Sequence, residues 1–183
     1  MADTLNGTRV AFLAMDGYED SELTAPWDAV TAAGATAVLV SPSTGTIEGE
    51  HGHRQPVDLV VGEADASEFD ALVLPGGVVN ADDLRLDEQS VAFASAFFAQ
   101  EKPVGAICHA AWLLVEGDVV RGRRMTSYPS LRTDLRNAGA TWVDEEVVVD
   151  DGFVTSRTPD DLPAFTASLI DQFGAATRPD PAA

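Results

Sequence analysis

Short apolar runs alternate with segments of helical periodicity along most of this 183-residue chain, and that alternation limits the possible folds more than any other feature. Arg9 to Met15 (RVAFLAM), Thr36 to Val40 (TAVLV), Ala71 to Leu74 (ALVL) and Val104 to Ile107 (VGAI) are continuous apolar stretches of strand length. Strands that are apolar on both faces need cover on both faces, which a parallel sheet between helices provides. Helical segments are expected from Leu23 to Ala33 with Gly34 as the stop, Asp87 to Gln100, His109 to Glu116, Ser130 to Ala138 and Leu162 to Phe173. Thr44 to Leu59 reads as a hairpin excursion, and Asp151-Gly152 as a tight turn joining Glu146–Val149 to Phe153–Thr155. The pattern predicts a single α/β domain, a three-layer sandwich with a mostly parallel central sheet, with residues 1–7 and 174–183 as flexible tails.

In such a sheet, ligands bind beyond the carboxyl ends of the strands, where loops and helix starts share a crevice. Three loops meet that condition: Gly17-Tyr18-Glu19-Asp20-Ser21-Glu22 after the first strand, Pro75-Gly76-Gly77 after the third, and Cys108-His109 after the fourth. Cys108, the only cysteine, lies between a buried strand and a helix, with Ala106 and Ala110 two residues to either side. Small neighbours at that spacing suit a nucleophile elbow, and a helix start would lower the thiol pKa. An inert buried thiol fits the same apolar context. His109 is either a surface or satisfied-core histidine or the partner of the thiol, and for the second it needs a distorted backbone to reach its neighbour and a carboxylate to orient it. Gly77 is either a plain strand-ending turn residue or, with the His109 N–H, a backbone donor to an oxyanion. Glu19 is either a solvated or helix-capping charge, as Asp20 and Glu22 are expected to be, or turns toward Cys108, where two anions would repel and the carboxyl group would hold a proton.

Thirty acidic against 11 basic side chains give a net charge of −19, which argues against nucleic acid as a partner. The acids are scattered, the pattern of a solvated surface adapted to concentrated salt. The start of the chain lacks the basic and apolar runs of a signal peptide, no apolar run is long enough to span a bilayer, and a lone cysteine fits a reducing compartment. A cytoplasmic protein with no membrane partner is therefore expected. There is no Walker loop, dinucleotide fingerprint, zinc spacing or Gly-x-Ser-x-Gly motif, and His51 and His53 find no further convincing ligands. No cofactor or metal is expected.

"GYEDSEL", "FDALVLPGG", "KPVGAICHAAWLL" and the long stretch "RGRRMTSYPSLRTDLRNAGATWVDEEVVVDDGFVTSRTPDDLPAF", in this order, resemble the PfpI (intracellular protease, ThiJ-like) family, within the superfamily of the Parkinsonism-associated deglycase. The resemblance runs from about Val10 to Phe173. It implies a flavodoxin-like fold, a catalytic Cys108 with His109, Glu19 against the thiol, and Gly77 as oxyanion donor. It also implies a homo-oligomer, dimer or hexamer, in which a neighbouring subunit supplies the acid that orients His109. Asp82 best matches that acid, with Asp83 the alternative, where the family pattern has a glutamate. The implied activity is a cysteine-dependent hydrolase acting on methylglyoxal-type carbonyls, glycated adducts or small peptides. The alternative is a non-catalytic, redox-sensing stress protein or chaperone.

Overall fold

The computed structural model describes residues 4–176. In chain order the elements are β1 (Arg9–Leu13), α1 (Asp20–Ala32), β2 (Thr36–Ser41), β3 (Thr46–Glu48), β4 (Arg54–Pro56), β5 (Leu59–Val60), β6 (Ala71–Leu74), α2 (Val78–Leu84), α3 (Glu88–Ala99), β7 (Val104–Ile107), α4 (Ala111–Glu116), β8 (Arg124–Met125), α5 (Arg132–Asn137), β9 (Thr141–Trp142), β10 (Val147–Asp150), β11 (Phe153–Ser156) and α6 (Leu162–Ala176). The main sheet has the order β10-β11-β7-β6-β1-β2-β5, parallel throughout except for β10.

The alternation of side chains along each strand sorts the core into two layers. Val10 and Phe12 of β1, Ala71 and Val73 of β6 and Val154 of β11 face Leu23 and Val30 of α1 and Phe165, Leu169 and Phe173 of α6. Ala11 and Leu13, Leu72 and Leu74, and Val104 and Ala106 face the other way, onto Phe93 and Phe97 of α3 and Leu113 and Leu114 of α4. Gly105 has no side chain because α6 leaves no room for one: a Cβ there would overlap Leu169 Cδ2. The expected flavodoxin-like sandwich is therefore the observed fold.

From β1 the chain passes outward to β2 and then returns to place β6 on the opposite side of β1. This reversal opens a crevice between the ends of β1 and β6, and β7 ends beside it. The hairpin excursion is β3 paired antiparallel with β4, whereas Leu59-Val60 leaves it to extend the main sheet against β2. Asp151 (φ 50°) and Gly152 (φ 76°) close the β10–β11 hairpin with two positive φ angles, as a type I′ turn requires. Of the expected flexible tails, residues 4–7 form a turn with Leu5 fully buried, and α6 continues to Ala176. Residues 1–3 and 177–183 lie outside the described residues. Among the described residues no helix is long and apolar enough to cross a membrane.

Candidate active site

Cys108 directly follows β7 and has φ 62°, in the left-handed region that a non-glycine side chain adopts only at a cost of about 1 kcal/mol or more. Its carbonyl accepts the Tyr128 N–H at 3.1 Å, which helps hold the turn. The consequence is local: the sharp bend places the His109 ring back against the sulfur, with Nδ1 3.2 Å from Sγ. Neighbouring residues in regular structure could not meet in this way. Cys108 and His109 are 7% and 8% exposed. The His109 ring stacks on Tyr128 (centroids 4.5 Å apart, 26° between planes), and its Nε2 is 3.4 Å from Ser130 Oγ. Burial holds the imidazole below its ordinary pKa, so it is neutral at pH 7.

The carboxyl group beside the thiol belongs to Glu22, not Glu19. Glu19 is the N-cap of α1: its Oε2 accepts the Glu22 N–H at 2.8 Å and the Ser21 hydroxyl at 2.6 Å, which turns it away from the sulfur. Glu22, three residues later and 0% exposed, reaches the crevice floor. Its Oε2 accepts the Gly76 N–H at 2.8 Å, its Oε1 is buried without an N–H or O–H donor, and the carboxyl lies within hydrogen-bonding reach of the thiol. Burial, reinforced by the negative charge of Glu19, raises the Glu22 pKa to about 8. Burial also pushes the thiol up, and so does the Glu22 charge, while the N–H groups of His109 and Gly77 draw it down. The lowered thiol pKa expected from a helix start is overridden: Cys108 opens a single 3-10 turn, and the α-helix after it has six residues. When the carboxyl holds a proton, its charge no longer opposes the thiolate. The two groups thus form a buried pair suited to sharing one proton.

Gly76 and Gly77 are required by close packing. A Cβ on Gly76 would overlap Glu22 Oε2 and lie 2.7 Å from Cys108 Cβ, so the bare α-carbon lets carboxyl and thiol approach across it. Gly77 has φ 92°, and a Cβ there would overlap Gly17 O. Its N–H and that of His109 lie close enough to the sulfur to draw the thiol pKa down. Asp82 and Asp83 lie on α2 and are exposed; within the chain the ring nitrogens of His109 meet Cys108 and Ser130 rather than either aspartate.

Two other contributions carry no local signal in the sequence. Asp20, read as a solvated or capping charge, accepts the N–H groups of His51 and His53 and ties the β3–β4 hairpin to the site loop. Asn80, on α2, is fully buried and bonded to two site loops. Glu22 had a legible signal, because stepping back by fours from the buried positions Val30 and Pro26 of α1 arrives at 22. Among the described residues no group of three His, Cys, Asp or Glu side chains is placed to hold a metal ion.

A sequence model described as the DJ-1/PfpI family matches residues 8–172. A deglycase from Pyrococcus abyssi is 44% identical over 162 residues, covering 88% of this chain and 97% of that protein. A Bacillus subtilis protein bearing a provisional cysteine-protease name is 45% identical over 163 residues, covering 88% of this chain and 96% of its own. Among solved structures, a two-domain protein from Anabaena variabilis with a DJ-1/ThiJ/PfpI-like and a ferritin-like domain superposes with a TM-score of 0.89 at 36% identity, over 94% of this chain and 50% of that chain.

Proposed function

Since the chain belongs to the DJ-1/PfpI family, we propose that it is a cysteine-dependent hydrolase of small carbonyl compounds, acting on methylglyoxal or its adducts with amines, with Cys108 as nucleophile. The observation that carries this reading is the strained Cys108 set against the buried, proton-holding Glu22. Burying a carboxyl group beside a thiol is costly, and the arrangement makes chemical sense if that group gives a proton to, and takes one from, a molecule bound at the sulfur.

With methylglyoxal, the proton shared by the pair rests on Glu22, and Sγ adds as the thiolate to the aldehyde carbon while the oxygen takes the displaced electron pair. The N–H groups of Gly77 and His109 stabilise the oxyanion, and Glu22 then protonates it. The resulting Glu22 carboxylate removes the remaining hydrogen of that carbon as a proton. Return of that proton to the adjacent carbon, with the hydroxyl proton passing from the first oxygen to the second, leaves a lactate thioester. Water, deprotonated by His109, cleaves the thioester to release lactate and restore the thiol; the sum is methylglyoxal plus water to lactate. With an amine adduct, the amine leaves with a proton as the C–S bond forms, and the later steps are the same.

We assign Asp82 the role of orienting His109 from a second copy of the chain, with Asp83 the alternative. Both are exposed on α2, and the exposed Val78 and Val79 beside them offer an apolar surface to a partner. Methylglyoxal and a fluorogenic peptide assayed side by side, on protein separated by size, test the whole reading. The expected result is methylglyoxal turnover in an oligomeric fraction and at least a 100-fold loss in Cys108→Ser. Peptide turnover alone would make the chain a peptidase. Cys108 oxidation by mild peroxide without turnover of either substrate would make it a redox sensor, and full activity in a monomer would remove the second subunit from the site.

A further inference from the structure

We infer that Asn80 is the positioning residue that aims the Gly77 N–H at the Cys108 sulfur, by gripping the carbonyl at the other end of the same peptide unit. The inference rests on the proposed role of Gly77 as oxyanion donor and adds what holds that donor in place.

Asn80 sits on α2, three residues after Gly77, and is 0% exposed. A buried amide is costly unless its donors and acceptor are satisfied, and here they are. Nδ2 donates to Gly76 O at 2.9 Å and to Pro75 O at 3.1 Å, and Oδ1 accepts the Met15 N–H at 2.8 Å. One side chain therefore joins the segment leaving β1 to the loop leaving β6, the two sides of the crevice at the point where strand order reverses.

The peptide geometry carries the consequence. In a trans peptide the C=O of one residue and the N–H of the next point in opposite directions in a single plane. Holding Gly76 O therefore fixes where the Gly77 N–H points. Gly76 O is held from two sides, by Asn80 Nδ2 and, at 3.3 Å, by the Glu19 N–H. The Gly77 N–H then faces away from both, toward the sulfur. The other polar groups of the glycine pair are also engaged: Gly76 N–H with Glu22 Oε2 at 2.8 Å, and Gly77 O with the Ala81 N–H at 3.1 Å. Two consecutive glycines, with the widest backbone freedom of any residues, need such restraints to keep one orientation. Of these restraints, Asn80 is the one supplied by a side chain that touches neither the sulfur nor its Glu22 and His109 partners.

The test uses two neutral variants, Asn80→Ala and Asn80→Ser, so that no new charge acts on the thiol. Three quantities are measured on each: melting temperature, the pH dependence of Cys108 alkylation by iodoacetamide read from intact mass, and kcat and KM for methylglyoxal. For Asn80→Ala the alkylation curve is expected to move to higher pH, with at least a threefold slower rate at pH 7, and kcat to fall at least tenfold with KM changed less than threefold. Asn80→Ser, which keeps one hydroxyl donor, is expected to fall between Asn80→Ala and wild type, and it carries the test alone if Asn80→Ala does not fold. A folded variant with the wild-type alkylation curve and kcat would overturn the inference, as would a loss of activity that only tracks the folded fraction. Alkylation requires no substrate, so its curve decides the role of Asn80 even if wild type turns over no methylglyoxal, a result that would instead sink the proposed function.

Discussion

Glu22 is the residue on which the chemistry and the pH behaviour both depend. Its pKa, raised from 4.5 to about 8, means that the folded protein holds a proton there between those values while the unfolded chain does not. Stability from this group is therefore fully present below about pH 4.5 and is lost as pH rises through about 8. In Glu22→Gln, which is neutral at every pH, that decline is expected to be absent. Denaturant unfolding should show the variant gaining on wild type by a few kcal/mol between pH 5 and pH 9, at about 1.4 kcal/mol per pKa unit. Methylglyoxal turnover should fall about 100-fold or more, because an amide neither gives nor takes the proton. A parallel pair of stability curves would show that Glu22 is ionised in the fold. At this scale the sequence was partly legible. Cys108 and Gly77 could be placed because a strand end and a glycine pair mark backbone positions, and these are local. The acid was misassigned to Glu19 because the start of α1 is set by a side-chain cap: Glu19 closing on the Glu22 N–H turns one carboxylate outward and the other in.

The elements divide by how they announce themselves. Strands β1, β2, β6 and β7 were legible because each is apolar on both faces, and α3 because Asp87 caps it, accepting the Ser90 N–H at 2.7 Å ahead of an apolar stripe. Helix α2 was missed, although it carries Asn80. It starts directly after two glycines, its first residues Val78 and Val79 point outward, and its buried side includes a polar asparagine. Its apolar pattern is therefore inverted over the first turn. The short parallel pair β8–β9 was also missed, since two residues per strand are too few for any period to register. Both misses have one cause: these segments are fixed by contacts with distant parts of the chain, which local periodicity does not encode.

For the molecule as a whole, charge and topology act separately. Topology brings the ends of β1, β6 and β7 to one crevice and so assembles Glu22, Gly76, Gly77, Cys108 and His109 from segments up to 87 positions apart in sequence. A net charge of −19 works against compactness, and such repulsion is screened as the Debye length falls from about 10 Å at 0.1 M salt to about 3 Å at 1 M. The melting temperature is therefore expected to rise between dilute and molar sodium chloride; an unchanged or lower value would contradict the reading of the surface as adapted to salt. The central claim, that the single thiol at this crevice performs the chemistry, can be read from one titration. Because Cys108 is the only cysteine, the intact mass after graded iodoacetamide treatment counts modified active sites directly. Residual methylglyoxal turnover plotted against the unmodified fraction should be a straight line through zero, and turnover that persists in fully alkylated protein would contradict the account.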